Sequence, residues 1–239
     1  MTITSIERGG VPRSDTAPIL ECALEMLAAG MPRPGDLADI PCGSGYLSAL
    51  AVARGWRVSP LDIDTSAWRG GDVAKVCYAD LNLPLPLDDA AFDAVACCEG
   101  IEHIENPWLV LREFRRILRP GGIAVISLPN TIDLRQRFRM LRRGFYGHYM
   151  PQVREHIDLI GTFGLCHALI RTGFGIEDVT VPRTYGGPCL RAAARLFGLG
   201  RRAGLPEDVR AMLSSPRVLC GRTAVIRARL PEGSPSSAP

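Results

Sequence analysis

Short apolar runs alternate with helical patterns along most of this chain, and that alternation constrains its fold more than any other feature. The runs that have the length and composition of strands cover residues 36–41, 57–61, 75–78, 92–98, 122–128, 176–181 and 217–229. The main helical patterns cover residues 15–29, 45–54, 106–118 and 163–172. Such alternation predicts an α/β fold in which helices cover both faces of a parallel sheet. We expect the last strand to be antiparallel.

One helix is marked at both ends. Asn106 can cap the pattern at residues 106–118, and Pro107 suits the first turn of a helix. Apolar residues then recur at helical spacing, and the segment RPGG at 119–122 ends the pattern.

The stretch LADIPCGSGYL, residues 37–47, places an acid inside an apolar run and follows it with a glycine-rich turn. Ligands of open parallel sheets bind beyond the carboxyl ends of the strands, where the strand order reverses. Gly43 and Gly45 lack a Cβ, so the backbone can approach a ligand closely there. The alternative is a plain strand-to-helix turn, which two glycines alone do not exclude.

Acids also follow the next three predicted strands. Asp62 lies at the end of the second, Asp80 follows the third and Glu99 follows the fourth. A carboxylate at the position of Asp62 can accept hydrogen bonds from ribose hydroxyls, and Asp80 could accept one from an adenine amine. Acids at four neighbouring strand ends would repel a phosphate and attract a nucleoside that carries a cation.

Successive segments of the chain resemble the motifs of the class I S-adenosylmethionine-dependent methyltransferases. They are DIPCGSG, LDID, ADLNLPLPLDDAAFDAVACCEGIEHIENP and LREFRRILRPGGIAVISLPN, in the family's order across about residues 35–130. The resemblance implies a Rossmann-like three-layer α/β/α sandwich. Its seven-stranded sheet would be mostly parallel with an antiparallel last strand, and S-adenosyl-L-methionine would be the cofactor of an enzyme.

The resemblance assigns a set of residues to the cofactor, all at or just beyond the ends of the first four strands: Asp39, Gly43, Gly45, Asp62, Ile63, Asp80, Leu81 and Glu99. Asp39, Gly43 and Gly45 would hold the methionine part of the cofactor. Asp62 and Ile63 would hold the ribose and one face of the adenine. Asp80 and Leu81 would hold the adenine edge, and Glu99 would lie near the methyl group. Pro41 belongs to the same site but stands where the family usually has glycine. Because proline lacks an N–H, one backbone contact is lost there. We expect binding to survive.

Three histidines are candidates for catalysis. His103 follows the fourth strand and is the first candidate for a general base, because its ordinary pKa is near neutral; a role in bracing the loop is the alternative. His148 and His156 fall in a region that commonly covers the acceptor in this family, and structural or exposed positions are their alternatives. We expect His167 to be a core residue and Glu102 a solvated loop acid.

Metal, membrane and secretion signals are missing from the sequence. The eight Cys and four His show no metal-ligand spacing, and we expect buried, reduced thiols. The apolar stretch at 159–170 is too short to span a bilayer, and the first residues contain no apolar signal-peptide core. These features favour a cytoplasmic protein.

We expect one domain over residues 1–230 and a disordered tail at 231–239. Residues 131–161 and 183–215 would be insertions or a lid on the substrate side. The arginines at 135–143 would form a solvated helix face or contact an anionic acceptor. The arginines near 191–202 lie on one side of a helical pattern that would pack as a lid or rest weakly on a membrane surface.

The resemblance implies methyl transfer to an oxygen of a small-molecule, sugar or glycan-like acceptor, with nitrogen and carbon ranked lower. The arginines favour an anionic acceptor. A noncatalytic binding protein with the same fold and an RNA methyltransferase are the alternatives. The net charge of +3 does not indicate a nucleic-acid partner. A nicotinamide dehydrogenase is disfavoured because Ser48 stands at the third position of its glycine motif. The oligomeric state has no sequence signal.

Overall fold

The computed structural model describes residues 15–144, 157, 160–187 and 204–233. The α-helices in these residues are α1 (Ala17–Gly30), α2 (Tyr46–Val52), α3 (Pro107–Ile117), α4 (Leu134–Arg143), α5 (Thr162–Arg171), α6 (Glu207–Leu213) and α7 (Pro216–Leu219). The strands are β1 (Asp36–Asp39), β2 (Arg57–Asp62), β3 (Cys77–Tyr78), β4 (Phe92–Cys97), β5 (Leu118–Pro129), β6 (Gly175–Thr180) and β7 (Thr223–Arg229).

The strands form one seven-stranded sheet in the order β3-β2-β1-β4-β5-β7-β6. Strands β1 to β5 pair in parallel, whereas β7 runs antiparallel to both β5 and β6. The predicted sheet and its antiparallel last strand are confirmed. The strand order reverses between β1 and β4, and a cleft at such a reversal is where sheets of this kind bind ligands.

Alternate residues of the central strands enter two separate apolar layers. Leu37 of β1 packs with α1 and α2, whereas the next residue, Ala38, belongs to the layer that contains α3 and α5. The same alternation holds along β5, where Val125 and Ile126 enter opposite layers. Successive side chains of a strand point to opposite faces, so the three-layer sandwich follows directly from the apolar strand sequences.

Helix α3 confirms the predicted cap, because the Asn106 side chain accepts a hydrogen bond from the backbone N–H of Leu109 at 3.1 Å. The predicted start of the chain's last strand, at residue 217, was wrong. Residues Pro216–Leu219 form helix α7, and β7 begins only at Thr223. The physical reason is a second cap: Ser215 accepts from Val218 N–H at 3.3 Å, and Pro216 starts the helix. Strand β5 begins earlier than predicted, at Leu118, and includes the RPGG segment.

Several predictions fall on residues outside the described ranges, including the helical pattern near 191–202 and most of the tail at 231–239. The single-domain boundary at 1–230 and the two insertions stay predictions. In the described ranges, no helix combines the length and apolar character that a membrane crossing requires.

Candidate cofactor and methyl-transfer site

The four predicted acids lie at the carboxyl edge of neighbouring strands. Asp39 ends β1 and Asp62 ends β2, while Asp80 and Glu99 each lie two residues beyond β3 and β4. Because β1 lies between β2 and β4, these strand ends are adjacent in the sheet. The structure therefore brings the predicted carboxyl groups to one edge, beside the reversal of strand order.

Asp39 is fully enclosed, with only 1% of its surface exposed. The Ser48 hydroxyl of α2 donates a hydrogen bond of 2.6 Å to its Oδ2. Burial outweighs that bond and raises the pKa of Asp39 to about 7. In the sequence, Ser48 was considered only because it replaces the third glycine of the dehydrogenase motif. Its hydrogen bond to Asp39 was not predicted.

Asp62 organises the glycine turn. Its Oδ2 accepts from the Gly43 N–H at 2.8 Å, and its Oδ1 accepts from the Asp64 N–H at 2.9 Å. A carboxylate oxygen has two lone pairs, so both oxygens can still accept from ribose hydroxyls. The bond to Gly43 was not predicted, because it depends on β1 and β2 being neighbours in the sheet.

The two glycines of the turn have different roles. Gly43 has φ +51°, and a Cβ built there would meet nothing within 4 Å, so open space lies above its backbone. Gly45 has φ +87°, but its Cβ would lie 2.5 Å from the Trp68 ring. Gly43 therefore leaves room for a ligand, whereas Gly45 leaves room for a side chain of the protein.

Trp68 is a residue of this site that the sequence analysis missed. Its ring fits between Gly45 and Gly70. A Cβ built on Gly70 would lie 2.3 Å from an atom of the Trp68 ring. The next residue, Arg69, donates its backbone N–H to the Ser44 carbonyl at 3.1 Å. The segment after β2 thus folds back onto the glycine turn. The segment WRGG, in which two glycines follow Trp68 after one arginine, was a sequence signal that could have indicated this packing.

Pro41 takes part in a contact that glycine could not make. A Cβ on Gly100 would lie 2.3 Å from the Pro41 ring, so the ring packs directly on the loop after β4. The Ile40–Pro41 peptide bond is cis. Pro41 therefore joins the two loops on either side of the strand reversal, and the expectation that cofactor binding survives here stays a prediction.

The residues predicted to contact adenine surround the ends of β2 and β3. Ile63 is 59% exposed, which is unusual for an apolar residue directly after a buried strand. Leu81 is half-buried against the core. Asp80 Oδ1 accepts from the backbone and side-chain nitrogens of Asn82 at 2.8 and 3.1 Å. An exposed apolar side chain beside a partly exposed carboxylate suits a flat ring that carries an amine.

Glu99 is fixed by Ser127 of β5. The Glu99 N–H donates to the Ser127 hydroxyl oxygen at 2.8 Å, and that hydroxyl donates to Glu99 Oε1 at 2.9 Å. The Glu99 backbone has φ +52°, a conformation that non-glycine residues seldom adopt and that concentrates at functional sites. Burial raises the pKa of Glu99, while hydrogen bonding from Ser127 and the nearby charge of half-buried His103 lower it.

Glu102 and His167 were predicted wrongly. Glu102 is 1% exposed instead of solvated, and burial, followed by the charge of Glu99, raises its pKa to about 8. It lies in the 3₁₀ turn Ile101–His103, whose first residue, Ile101, enters the core, and the acid beside it is buried as well. His167 lies on the exposed side of α5 instead of in the core, because the neighbours that enter the core, Cys166 and Ala168, occupy the other side of the helix.

His148 and His156 lie outside the described residues, so their predicted catalytic roles stay predictions. In the described ranges, no three His, Cys, Asp or Glu side chains come together as a metal site. The cysteines there are free thiols, and most are buried as predicted, but Cys77 of β3 is exposed.

The arginine-rich segment forms α4 beside this edge. Asp133 caps the helix by accepting from the N–H groups of Arg135 and Gln136, and the Tyr185 hydroxyl donates to Asp133 at 2.5 Å. The Arg135 guanidinium lies 3.7 Å from the centre of the Tyr185 ring. Most other arginines of α4 are exposed, which fits a solvated face and leaves their contact with an acceptor untested.

Comparisons with known proteins support the interpretation of this edge. A family model described as a methyltransferase domain matches residues 38–126. A probable S-adenosylmethionine-dependent methyltransferase of Mycolicibacterium smegmatis is 32% identical over 146 residues, which are 60% of this chain and 53% of that protein. A ubiquinone biosynthesis O-methyltransferase of Xanthomonas axonopodis pv. citri is 26% identical over 167 residues, or 66% of this chain and 70% of that protein. The chain thus spans about half the length of the mycobacterial relative.

A solved structure shows the same fold. The 1,6-didemethyltoxoflavin-N1-methyltransferase of Burkholderia thailandensis, with bound 1,6-didemethyltoxoflavin and S-adenosylhomocysteine, superposes with a TM-score of 0.57 at 19% identity. The match covers 91% of this chain and 80% of that one. At this identity the likeness concerns the fold alone, and it agrees with the predicted α/β/α sandwich.

Proposed function

We propose that this chain is a class I S-adenosylmethionine-dependent methyltransferase, in agreement with the methyltransferase-domain model that matches residues 38–126, and that it methylates an oxygen atom of a small-molecule acceptor. The observation that carries the proposal is the charge of the carboxyl edge. In the described ranges, none of the four acids there forms an ion pair with an arginine or lysine. A cationic ligand can therefore supply the missing positive charge.

The residues present fit S-adenosylmethionine. The open space above Gly43 admits a ligand against the backbone, and Asp62 retains lone pairs for the ribose hydroxyls. Exposed Ile63 offers an apolar surface to the adenine, with Asp80 and Leu81 at its edge. Two further sets complete the proposed site: Asp39, Pro41 and Gly45 beside the methionine part, and Glu99 beside the methyl group.

The bound cofactor supplies an electrophilic methyl group on a sulfonium. When an acceptor hydroxyl is methylated, a C–O bond forms and the C–S bond breaks with its electron pair left on sulfur. The hydroxyl proton must leave, and we assign its removal to the imidazole of His103. Glu99, whose carboxylate is held by Ser127, lies close enough for its charge to interact with His103.

The acceptor is proposed in less detail. The O-methyltransferase named among the relatives supports an oxygen as the methylated atom. The exposed arginines of α4 support an anionic acceptor, for which a sugar phosphate or another acidic glycan-like molecule is suitable. Weak contact of the arginine-rich segments with a membrane surface is a lower-ranked part of the same proposal.

Calorimetry with S-adenosylhomocysteine tests the cofactor site. We expect micromolar binding by the wild type and a loss of roughly 10- to 100-fold in Asp62→Asn, because asparagine cannot accept from both Gly43 and Asp64. Asp88→Asn, an exposed acid remote from the strand reversal, is the matched control and should bind normally. Failure of folded wild-type protein to bind would contradict the proposal.

A methyl-transfer assay tests the reaction. With radiolabelled S-adenosylmethionine, hydroxylated aromatics and sugar phosphates are the first acceptors to screen. His103→Gln should lower turnover by roughly 100-fold or more and leave cofactor affinity nearly unchanged. His167→Gln, an exposed histidine on α5, is the matched control. Tight cofactor binding without turnover on any acceptor class would instead favour the noncatalytic binding protein.

A further inference from the structure

Helix α4 presents an apolar stripe whose surroundings change along its length. Leu134, in the first turn, is half-buried and packs with Leu219 and Cys220. Phe138 and Leu141 follow at i+4 and i+7, so they continue the same side of the helix. Phe138 is nevertheless 66% exposed and Leu141 85% exposed. The stripe therefore packs on the protein at the start of α4 and is exposed in its later turns.

Arginines border the exposed part of the stripe. The 10 residues of α4 include five arginines and no acid. Successive helix positions differ by about 100° in direction, so Arg139 and Arg142 lie along one side of the stripe. Both are exposed, and within the described ranges neither forms an ion pair. Asp133, the acid directly before the helix, is buried as its cap. The later turns of α4 combine an apolar surface with positive charge that no acid of the helix balances.

The first turn of α4 is fixed to the rest of the protein. Asp133 accepts from the Arg135 N–H at 2.8 Å, and that N–H also donates to the Tyr185 hydroxyl oxygen at 3.1 Å. The helix follows β5, in which Ser127 holds Glu99 of the proposed site. The exposed stripe is therefore attached to the carboxyl edge, where the acceptor would bind.

Charge and length decide which partner fits the stripe. In a symmetric pair of copies that met through α4, the arginines of one helix would face those of the other, and like charges oppose association. Crossing a bilayer takes about 20 residues, so a helix of 10 residues can only lie along its surface. Helices with arginines beside an apolar side bind to anionic bilayers in this way, with the apolar side chains below the headgroups and the arginines at the phosphates.

We propose that α4 docks the protein on an anionic lipid surface, with Phe138 and Leu141 inserted below the headgroups and Arg139 and Arg142 bound to lipid phosphates. Docking concerns α4 alone, whereas its use in methyl transfer rests on the proposed function and deepens it. Because α4 follows β5 at the carboxyl edge, docking turns the acceptor side of the site towards the bilayer. The acceptor class that fits is an amphiphile whose hydroxyl group lies in the headgroup region.

The first test measures co-sedimentation of the full chain with lipid vesicles and needs neither cofactor nor acceptor. The wild type should bind vesicles of phosphatidylglycerol and phosphatidylcholine at least about 10-fold more tightly than vesicles of phosphatidylcholine alone. The double variant Phe138→Ser/Leu141→Ser should bind the anionic vesicles about 10-fold or more weakly, because two apolar side chains no longer enter the bilayer. Leu83→Ser removes an exposed leucine that has no arginine beside it in the sequence, and this control should bind like the wild type.

Three outcomes of this test would overturn the proposal. Wild-type protein that does not bind the anionic vesicles would do so. Equal binding by the double variant would mean that the arginines attract anions without any insertion. A lipid-free dimer that the double variant disperses would assign the stripe to a second copy of the chain. Because both side chains are exposed, a melting temperature equal to that of the wild type checks that the double variant is folded.

Fluorescence quenching provides a second test that does not depend on the serine variants. The emission of Phe138→Trp should shift to shorter wavelength on anionic vesicles and should be quenched by lipids brominated on their acyl chains, because residue 138 would lie below the headgroups. Leu83→Trp, the matched control, should show neither change. Equal quenching of both variants, or of neither, would contradict insertion through α4.

Turnover of a lipid-borne acceptor tests the part that rests on the proposed function. The probes are a hydroxylated aromatic ring with a long alkyl chain, carried in phosphatidylglycerol vesicles, and the same ring without the chain in solution. The double variant should methylate the first about 10-fold more slowly and the second at the wild-type rate. An equal loss on both probes would overturn the proposed orientation. If the vesicles are bound but S-adenosylhomocysteine is not, the proposed function fails while docking by α4 stands.

Discussion

The two edges of the sheet treat their acids in opposite ways, although the same strands carry them. At the amino edge, Asp36 is paired with Arg57 at 2.7 Å, and Asp93 with Arg119 at 2.8 Å. At the carboxyl edge, the partners of Asp39 and Asp62 within the described ranges are a hydroxyl group and backbone N–H groups. Asp36 and Asp39 are the two ends of β1.

The difference shows which charges serve the fold and which are left for a ligand. Hydrogen bonding from Arg57 lowers the pKa of Asp36, whereas burial raises that of Asp39 to about 7. Surface ion pairs contribute little to stability, but they leave no charge unbalanced. Among the described residues, the acids of the carboxyl edge have no arginine or lysine partner, and such negative charge favours the binding of a sulfonium cofactor.

A pair of glycine substitutions should separate the edges most strongly. Gly43→Ala places a methyl group in the open space of the turn, so we expect at least about a 10-fold loss of S-adenosylhomocysteine affinity with a stability loss of only about 1 kcal/mol. Gly35→Ala places its Cβ 2.2 Å from the Asp93 carboxylate, so it should cost roughly 2–4 kcal/mol. Calorimetry and urea unfolding measure the two quantities.

The comparison of the two edges would be contradicted if Gly35→Ala lowered cofactor affinity and Gly43→Ala did not. Gly35→Ala that remains folded should bind the cofactor with unchanged affinity, because the amino edge does not contact the proposed site. Equal affinity of Gly43→Ala and the wild type would mean that the ligand does not approach this backbone.

Asp39→Asn should give the next largest effect, and its sign depends on pH. Because the folded-state pKa of Asp39 is raised to about 7, the wild type loses stability as pH rises from about 4 towards 7. Asparagine removes this loss and can still accept from Ser48, so the variant should be roughly 1–3 kcal/mol more stable at pH 8. Urea unfolding at pH 5 and pH 8 measures the change.

The same substitution should weaken cofactor binding. A variant that gains stability but loses affinity would show that the carboxyl edge is maintained for its ligand, at the expense of the fold. Stability differences that do not depend on pH would contradict the raised pKa of Asp39.

Much of the fold and part of the site were predictable from the sequence, for a physical reason. Strand periodicity identifies the faces of β1 and β5, and parallel strands place the acids that end them at one edge. The partners of those acids were not predictable. Ser48 reaches Asp39 only because α2 packs beside β1, and Gly43 reaches Asp62 only because β2 is the neighbouring strand.

The wrong predictions have the same origin. Glu102 lies between two other acids, Glu99 and Glu105, in a segment with the composition of a loop, and the packing of the 3₁₀ turn buries it. His167 stands among apolar residues, yet consecutive helix positions differ by about 100° in direction, so it is exposed while its neighbours are buried. Local composition does not determine which side of an element faces the core.

Trp68 allows a smaller test of the carboxyl edge. Trp68→Ala removes the ring that packs against Gly45 and Gly70, and we expect a loss of roughly 1–3 kcal/mol with cofactor affinity weakened several-fold. Trp68→Phe should restore part of both quantities, because a smaller ring still fills some of the space. Urea unfolding and calorimetry measure them. Affinity that is unchanged in Trp68→Ala would show that this segment does not hold the glycine turn.

Asp36→Asn should give the smallest effect, in the direction opposite to that of Asp39→Asn. The folded-state pKa of Asp36 is lowered, so its pairing with Arg57 and Arg119 contributes stability above about pH 4 and loses it as pH falls through the folded-state value. The pair with Arg57 is exposed, so the cost at pH 7 should be at most about 1 kcal/mol. Urea unfolding at pH 7 and pH 3 should show this cost shrink with acid, with cofactor affinity at pH 7 unchanged. A loss of affinity in this variant would mean that charge at the amino edge also acts on the ligand, and the two edges would not be independent.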